Sequence, residues 1–155
     1  MPTNIRRESI IDSWSTLIEH AAGRDKQLMD EISRFITEAN MPHVMLARDE
    51  CVTRTFGTKR DFLILKHDIL REYRIFTGAR DYGANLDISW FMTFVPYAFS
   101  RRRLQNLDMF IQQDLRAFAS VALHCTKKAV EALCEELQQS PAGLNTASKG
   151  FLTVW

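Results

Sequence analysis

The amino-acid sequence predicts an α+β protein: an N-terminal helical hairpin, an antiparallel meander of four or five strands, and a long C-terminal helix packed on the sheet. Three observations carry that expectation. Apolar residues recur at helical spacing before Pro42 and again beyond residue 100. Between those regions, residues 43–94 are rich in Val, Ile, Thr, Phe, Tyr and Trp and are punctuated by Gly57, Gly78 and Gly83, which is strand and turn composition. No Gly or Pro interrupts residues 100–139.

The first helix is expected from Ile5, Ile11, Trp14, Leu17, Ile18 and Ala21, with Thr3 or Asn4 as its cap and Gly23 at its end. A second helix follows at once. Asp25 caps it, Leu28, Ile32, Phe35, Ile36 and Ala39 form its stripe, and Asn40 and Pro42 stop it. Two helices joined by so short a link form an antiparallel hairpin. Strands are expected at 43–48, 51–56, 60–67, 69–77 and 86–95. In the last, Leu86, Ile88, Trp90, Met92 and Phe94 alternate with the residues between them. Phe62-Leu63-Ile64-Leu65 is apolar on both faces, which places that strand inside the sheet. The segment from Asp68 to Phe76 also fits a short helix. The strand is preferred because Ile75-Phe76-Thr77 runs into a glycine.

From residue 100 to 139 the pattern is helical again, through Leu104, Leu107, Ile111, Leu115, Phe118, Ala122, Cys125, Ala129, Leu133 and Leu137. An unbroken helix of ~38 residues would reach about 57 Å, whereas a compact domain of this size is only ~30 Å across. Its centre, residues 117–123, is apolar almost all round and must be covered on more than one side, by the rest of the chain or by a second copy. One domain is expected over residues 1–139. Residues 140–155 read as a polar linker and the apolar, β-prone tail Phe151-Leu-Thr-Val-Trp155, which either adds a strand to a sheet edge or frays.

Composition narrows the function. The chain has 155 residues, 46% apolar and 25% charged, with 20 Lys and Arg against 19 Asp and Glu. A net charge of +1 disfavours a large nucleic-acid footprint and gives little repulsion between copies. Cys51, Cys125 and Cys134 have no CxxC spacing, so reduced, buried thiols are expected. On one helix Cys125 and Cys134 would lie about 13 Å apart along the axis, too far for a bridge. His20, His43, His67 and His124 show no HxxxH or HxH spacing, and no metal or cofactor is expected. Neither a signal peptide nor a run of ~20 apolar residues is present, which points to a cytoplasmic protein without membrane contact.

Motifs for catalysis are missing: the sequence holds no GxxxxGK[ST], GxGxxG or GxSxG. Cys51, His67 and Asp68 would make a nucleophile, base and orienter only if the fold brought them together. Two segments are candidate binding sites. The loop Gly78–Asn85 carries Arg80, Asp81, Tyr82 and Asn85 between glycines, where Arg80 could hold an anion and Tyr82 could stack. The bland alternative is a solvated turn in which Arg80 pairs with Asp81 or Asp87. Arg101, Arg102 and Arg103, with Tyr97 nearby, combine basic and aromatic groups as single-strand binders do. The leading functional expectation is a non-enzymatic interaction or scaffold protein, self-associating through the long helix at Leu115, Phe118, Val121, Ala122 and Leu123. The second is a small apolar-ligand binder, with ten Phe and six Met available to line a pocket between sheet and helix. The third is weak single-stranded nucleic-acid binding through Arg101–Arg103.

Overall fold

A computed structural model describes residues 2–54, 57–96, 107–144 and 147–154. The strands are β1 (Thr3–Asn4), β2 (Ile10–Ile18), β3 (Val44–Val52), β4 (Arg60–His67), β5 (Tyr73–Tyr82), β6 (Asn85–Phe94) and β7 (Lys149–Gly150). The helices are α1 (Asp25–Ala39), α2 (Met109–Glu136) and the four-residue α3 (Phe151–Val154). All seven strands form one sheet in the order β1-β3-β4-β5-β6-β2-β7. The class is α+β, but the sheet is mixed: β1 runs parallel to β3, with Thr3 opposite Cys51 and Asn4 opposite Val52.

The N-terminal helical hairpin is not formed. Where its first helix was expected, β2 runs antiparallel to β6, with Trp14 opposite Trp90 and Ile18 opposite Leu86. Asp12, Trp14, Thr16 and Ile18 are buried in a period of two. Ile11, Trp14, Ile18 and Ala21 satisfy helical spacing as well, so the apolar residues alone do not separate the two forms. Ser13, Ser15 and Thr16 hold poorly in a helix, and β-branched Ile and Thr pack well on a pleated surface. The strand therefore wins once β6 is there to receive it. The second expected helix is α1, ended by Asn40 in the left-handed conformation at φ 46°.

Strand expectations held best where alternation was cleanest. β4 and β6 fall within a residue of the expected ranges, and β4 lies inside the sheet. The ranges 43–48 and 51–56 merge into the single strand β3, paired along its length with β4. The segment 69–77 is a strand only from Tyr73 onward. α2 starts later than residue 100 because Asp108 caps it, accepting the amides of Phe110 and Ile111 at 3.0 Å. Its 28 residues span about 42 Å.

Both long helices lie on one face of the sheet. They are antiparallel neighbours: Arg24 and Gln27 at the start of α1 bond Glu136 at the end of α2, at 3.1 and 2.6 Å. The core between layers is closed by Leu63, Leu65, Ile75, Ile88, Trp90 and Met92 from the sheet and by Leu115, Phe118, Ala122 and Val130 from α2. Each such side chain contributes roughly 1.5–3 kcal/mol on burial. In the middle of this layer the hydroxyls of Thr77 and Thr126 meet at 3.1 Å.

On the other face, residues 5–9, between β1 and β2, cross the sheet as a strap. They leave the β3 edge, where the Ile5 amide bonds the Val52 carbonyl at 2.8 Å, and enter β2 on the far side. Ile5 packs on Cys51, Ile64 and Phe76, with Phe62 and Phe91 beside them. Gly78 is needed in β5 because a Cβ there would meet the Phe62 ring at 2.9 Å. The strand that joins the sheet near the C-terminus is Lys149–Gly150, from the expected linker, with Gly150 opposite Asp12, while Phe151–Val154 of the expected β-prone tail forms the helix α3 instead. A Cβ at Gly150 would run into the Ile11 carbonyl. The buried Asp12 carboxylate ties the tail down, accepting the Ser148 hydroxyl at 3.2 Å and the Leu152 amide at 2.7 Å.

Candidate functional site

The end of the molecule where α1 stops and α2 begins holds an apolar cleft of about 490 Å³. Met41 walls it from the α1–β3 connection, Val44 from the start of β3, Leu70 from the β4–β5 connection, and Ile111, Phe118 and Val121 from α2. The local sequence explains why it exists. Asn40 turns the chain out of the helix, and Pro42 cannot continue it. His43 then adopts a positive φ of 65°, a conformation that costs energy for any side chain other than glycine.

Two contacts hold His43 there. Its Nδ1 lies 3.0 Å from Asp68 Oδ1, and its carbonyl accepts the Asp68 amide at 2.9 Å. The neighbouring His67 ring has its centroid 5.8 Å from that of His43 and stands edge-on to Phe118 at 5.4 Å. His67 Nδ1 accepts the amides of Ile69 and Leu70 at 3.2 and 3.0 Å, so a neutral His67 carries its proton on Nε2. Exposed apolar residues here are Ile69, which lines the cleft, and Met109 and Phe110, which precede the lining residue Ile111 in α2. Ile69 is 46% exposed, Met109 73% and Phe110 70%.

The expected nucleophile, base and orienter do not assemble. Asp68 pairs with His43, not His67. Cys51 sits opposite Arg60 and His67 opposite Val44, so seven residues of β3 separate the two, about 23 Å of strand. Burial, with Asp49 and Asp61 adding to it, pushes the Cys51 thiol up to about 11, so it is protonated at neutral pH. Burial raises Cys125 and Cys134 as well, and all three cysteines are free and buried. Among the described residues no group of three His, Cys, Asp or Glu side chains is placed to hold a metal ion, and no helix is long and apolar enough to cross a membrane.

The expected loop at Gly78–Asn85 is a tight hairpin. β5 runs to Tyr82 and β6 starts at Asn85, opposite it. Its polar side chains brace the connection between β2 and α1. Asp81 accepts the Gly23 amide at 2.9 Å, and Asn85 accepts the His20 amide at 3.3 Å. Arg80 lies 3.3 Å from Asp87 and 5.2 Å above the Tyr82 ring. Tyr97, Arg101, Arg102 and Arg103 lie outside the described residues.

Of the expected association residues, Leu115, Phe118, Ala122 and Leu123 are buried within the chain itself, under the sheet and α1. Val121 is half-buried and edges the cleft. The sequence reading missed the exposed apolar residues Ile69, Met109 and Phe110. Phe110 could have been found: the helical stripe passes through Leu107 and Ile111 and leaves it on the outside. No protein-family model matches this chain, and no curated protein is significantly similar to it.

Proposed function

We propose that the protein is an interaction protein that pairs with a second copy of itself through the start of α2. The observation that carries this reading is the exposed pair Met109 and Phe110, directly before Ile111 in α2, a residue that lines an apolar cleft of about 490 Å³. A knob and a hole on one surface suit a two-fold contact, in which Phe110 of each copy enters the cleft of the other. Exposed apolar groups clustered in this way are a mark of association surfaces. A net charge of +1 offers little opposition. The seam is therefore placed at the first turns of α2 rather than along residues 117–123.

Size-exclusion chromatography with light scattering tests the reading. Wild-type protein is expected to run as a dimer at ~100 μM, and Phe110→Lys as a monomer of unchanged circular dichroism. A wild-type monomer at several hundred micromolar would end it.

A second reading keeps the cleft for a small apolar ligand. Its volume falls in the usual range of ligand sites, roughly 300–1,000 Å³, and His43 and Asp114 in its lining supply polar anchors. Displacement of an environment-sensitive dye separates the two readings. A carrier binds the dye as a monomer and loses it in Val121→Trp, which fills the cleft.

A further inference from the structure

The open face of the sheet carries a different chemistry. Beside the strap lies a solvent-accessible cavity of about 740 Å³. Its rim takes Arg6 and Arg7 from the strap, Arg54 from the β3–β4 connection and Arg60 from the start of β4. Glu8 is the one carboxylate among its described lining residues. Four guanidiniums against one carboxylate leave an excess of three positive charges in a protein that is otherwise nearly neutral.

Like Arg71, Arg74 and Arg116 elsewhere, these four arginines have no carboxylate partner among the described residues. Arg24, Arg34, Arg48 and Arg80 each stand beside a carboxylate. Among the described residues Arg6, Arg7, Arg54 and Arg60 make neither an ion pair nor a side-chain hydrogen bond. Like charges gathered without counter-charges repel one another, and an anion relieves that repulsion. The cavity floor is aromatic. Phe62 and Phe91 are half-buried, with ring centroids 6.1 Å apart and planes tilted by 51°. The Phe62 ring is held in place over Gly78.

We propose that this cavity binds a nucleotide, its phosphate gripped by Arg54, Arg60 and the strap arginines and its base laid against Phe62 and Phe91. Charge and shape select that class together. A single carboxylate neutralises one of three surplus charges, whereas a terminal phosphate carries about two and fits the guanidinium fork in a bidentate manner. Inorganic phosphate satisfies the rim and leaves the aromatic floor unused. Bases stack on such rings without regard to sequence. The near-neutral net charge confines the contact to a few phosphates, so the source is a free nucleotide or the end of a single strand, not a long duplex.

Titration calorimetry with three probes tests this: inorganic phosphate, AMP and 5′-phosphorylated tetrathymidylate. AMP is expected to bind at least tenfold more tightly than phosphate. Raising salt from 50 to 200 mM weakens the tetranucleotide by roughly tenfold for two to three phosphate contacts. The double variant Arg54→Gln/Arg60→Gln, at two exposed positions, loses at least tenfold for every probe while its circular dichroism is unchanged. Phe62→Leu weakens AMP and leaves phosphate as it was. A tetranucleotide tenfold tighter than AMP assigns the site to strand ends, and equal affinities assign it to free nucleotides. Silence with all three probes at millimolar concentration overturns the proposal. So does phosphate binding as well as AMP, or a double variant that binds like wild type. Phe110→Lys, on the far side of the sheet, leaves these affinities unchanged, so the outcome is independent of self-association.

Discussion

One sheet serves two unlike faces. The face under α1 and α2 is closed by two long helices and holds Leu65, Ile75, Ile88, Trp90 and Met92, all without solvent contact. Among the described residues the other is crossed by the strap, residues 5–9, which buries Ile5, Ile64, Phe76 and Cys51 but leaves Phe62 and Phe91 half in water. A helix covers a wide stripe and excludes charge. A strap covers a narrow line and leaves cavities on both sides, where arginines can gather. The difference teaches that stability resides mainly on the helical face, while the strapped face is free to carry polar chemistry.

The comparison breaks most visibly in paired truncations. Leu65→Ala, beneath the helices, is expected to cost about 3 kcal/mol, and Phe62→Ala, beside the strap, about 1 kcal/mol, because a half-exposed side chain leaves a smaller void. Urea unfolding measures both, and equal losses would erase the distinction between the faces.

A smaller effect comes from Cys51, which lies under the strap. Its thiol is raised to about 11 by burial and then by Asp49 and Asp61, above its ordinary value near 9. The unfolded chain releases the proton first as pH rises. The stability linked to this group is thus complete below about pH 9 and is lost toward pH 11, by an amount of order 2 kcal/mol. Unfolding curves at pH 8 and 10.5 for wild type and Cys51→Ala check it: wild type should fall further. An identical pH response in the two proteins would mean that the strap does not shield the thiol.

The smallest expected effect belongs to Arg80→Ala. The Arg80–Asp87 pair is at the surface, so its loss should change stability by no more than about 0.5 kcal/mol. Nucleotide affinity should not change. A larger shift in either would return the β5–β6 hairpin to the list of working sites.

Much of the fold was legible. α1 carries its stripe and its Asn40 stop in plain view, and β6 alternates cleanly. β2 was not, because Trp14 and Ile18, four apart, satisfy two periods at once and the contact that decides between them, Trp14 on Trp90, lies 76 residues away. The hairpin at Gly83 was masked by Gly78, which reads as a turn but serves to admit the Phe62 ring from the neighbouring strand. The site was less legible than the fold. Arg6, Arg7, Arg54 and Arg60 form no run in the sequence and meet only through the strap and the β3–β4 pairing, whereas Arg101–Arg103 stand out because they are consecutive. Asp108 was a readable signal that the sequence analysis passed over: a cap at the head of a helical stripe, eight residues inside the expected start.

The clamp at Asp12 has a kinetic consequence. It joins residue 12 to residues 148 and 152, 136 and 140 residues further on, and β2 sits between β6 and β7. Until that second neighbour arrives β2 is paired on its β6 side alone, and the central hairpins β3–β4–β5–β6 can form without either. Closure over so long a stretch of chain is intrinsically slow. A chain that has not yet docked residues 148–152 would have its meander assembled while β2 still had one open edge.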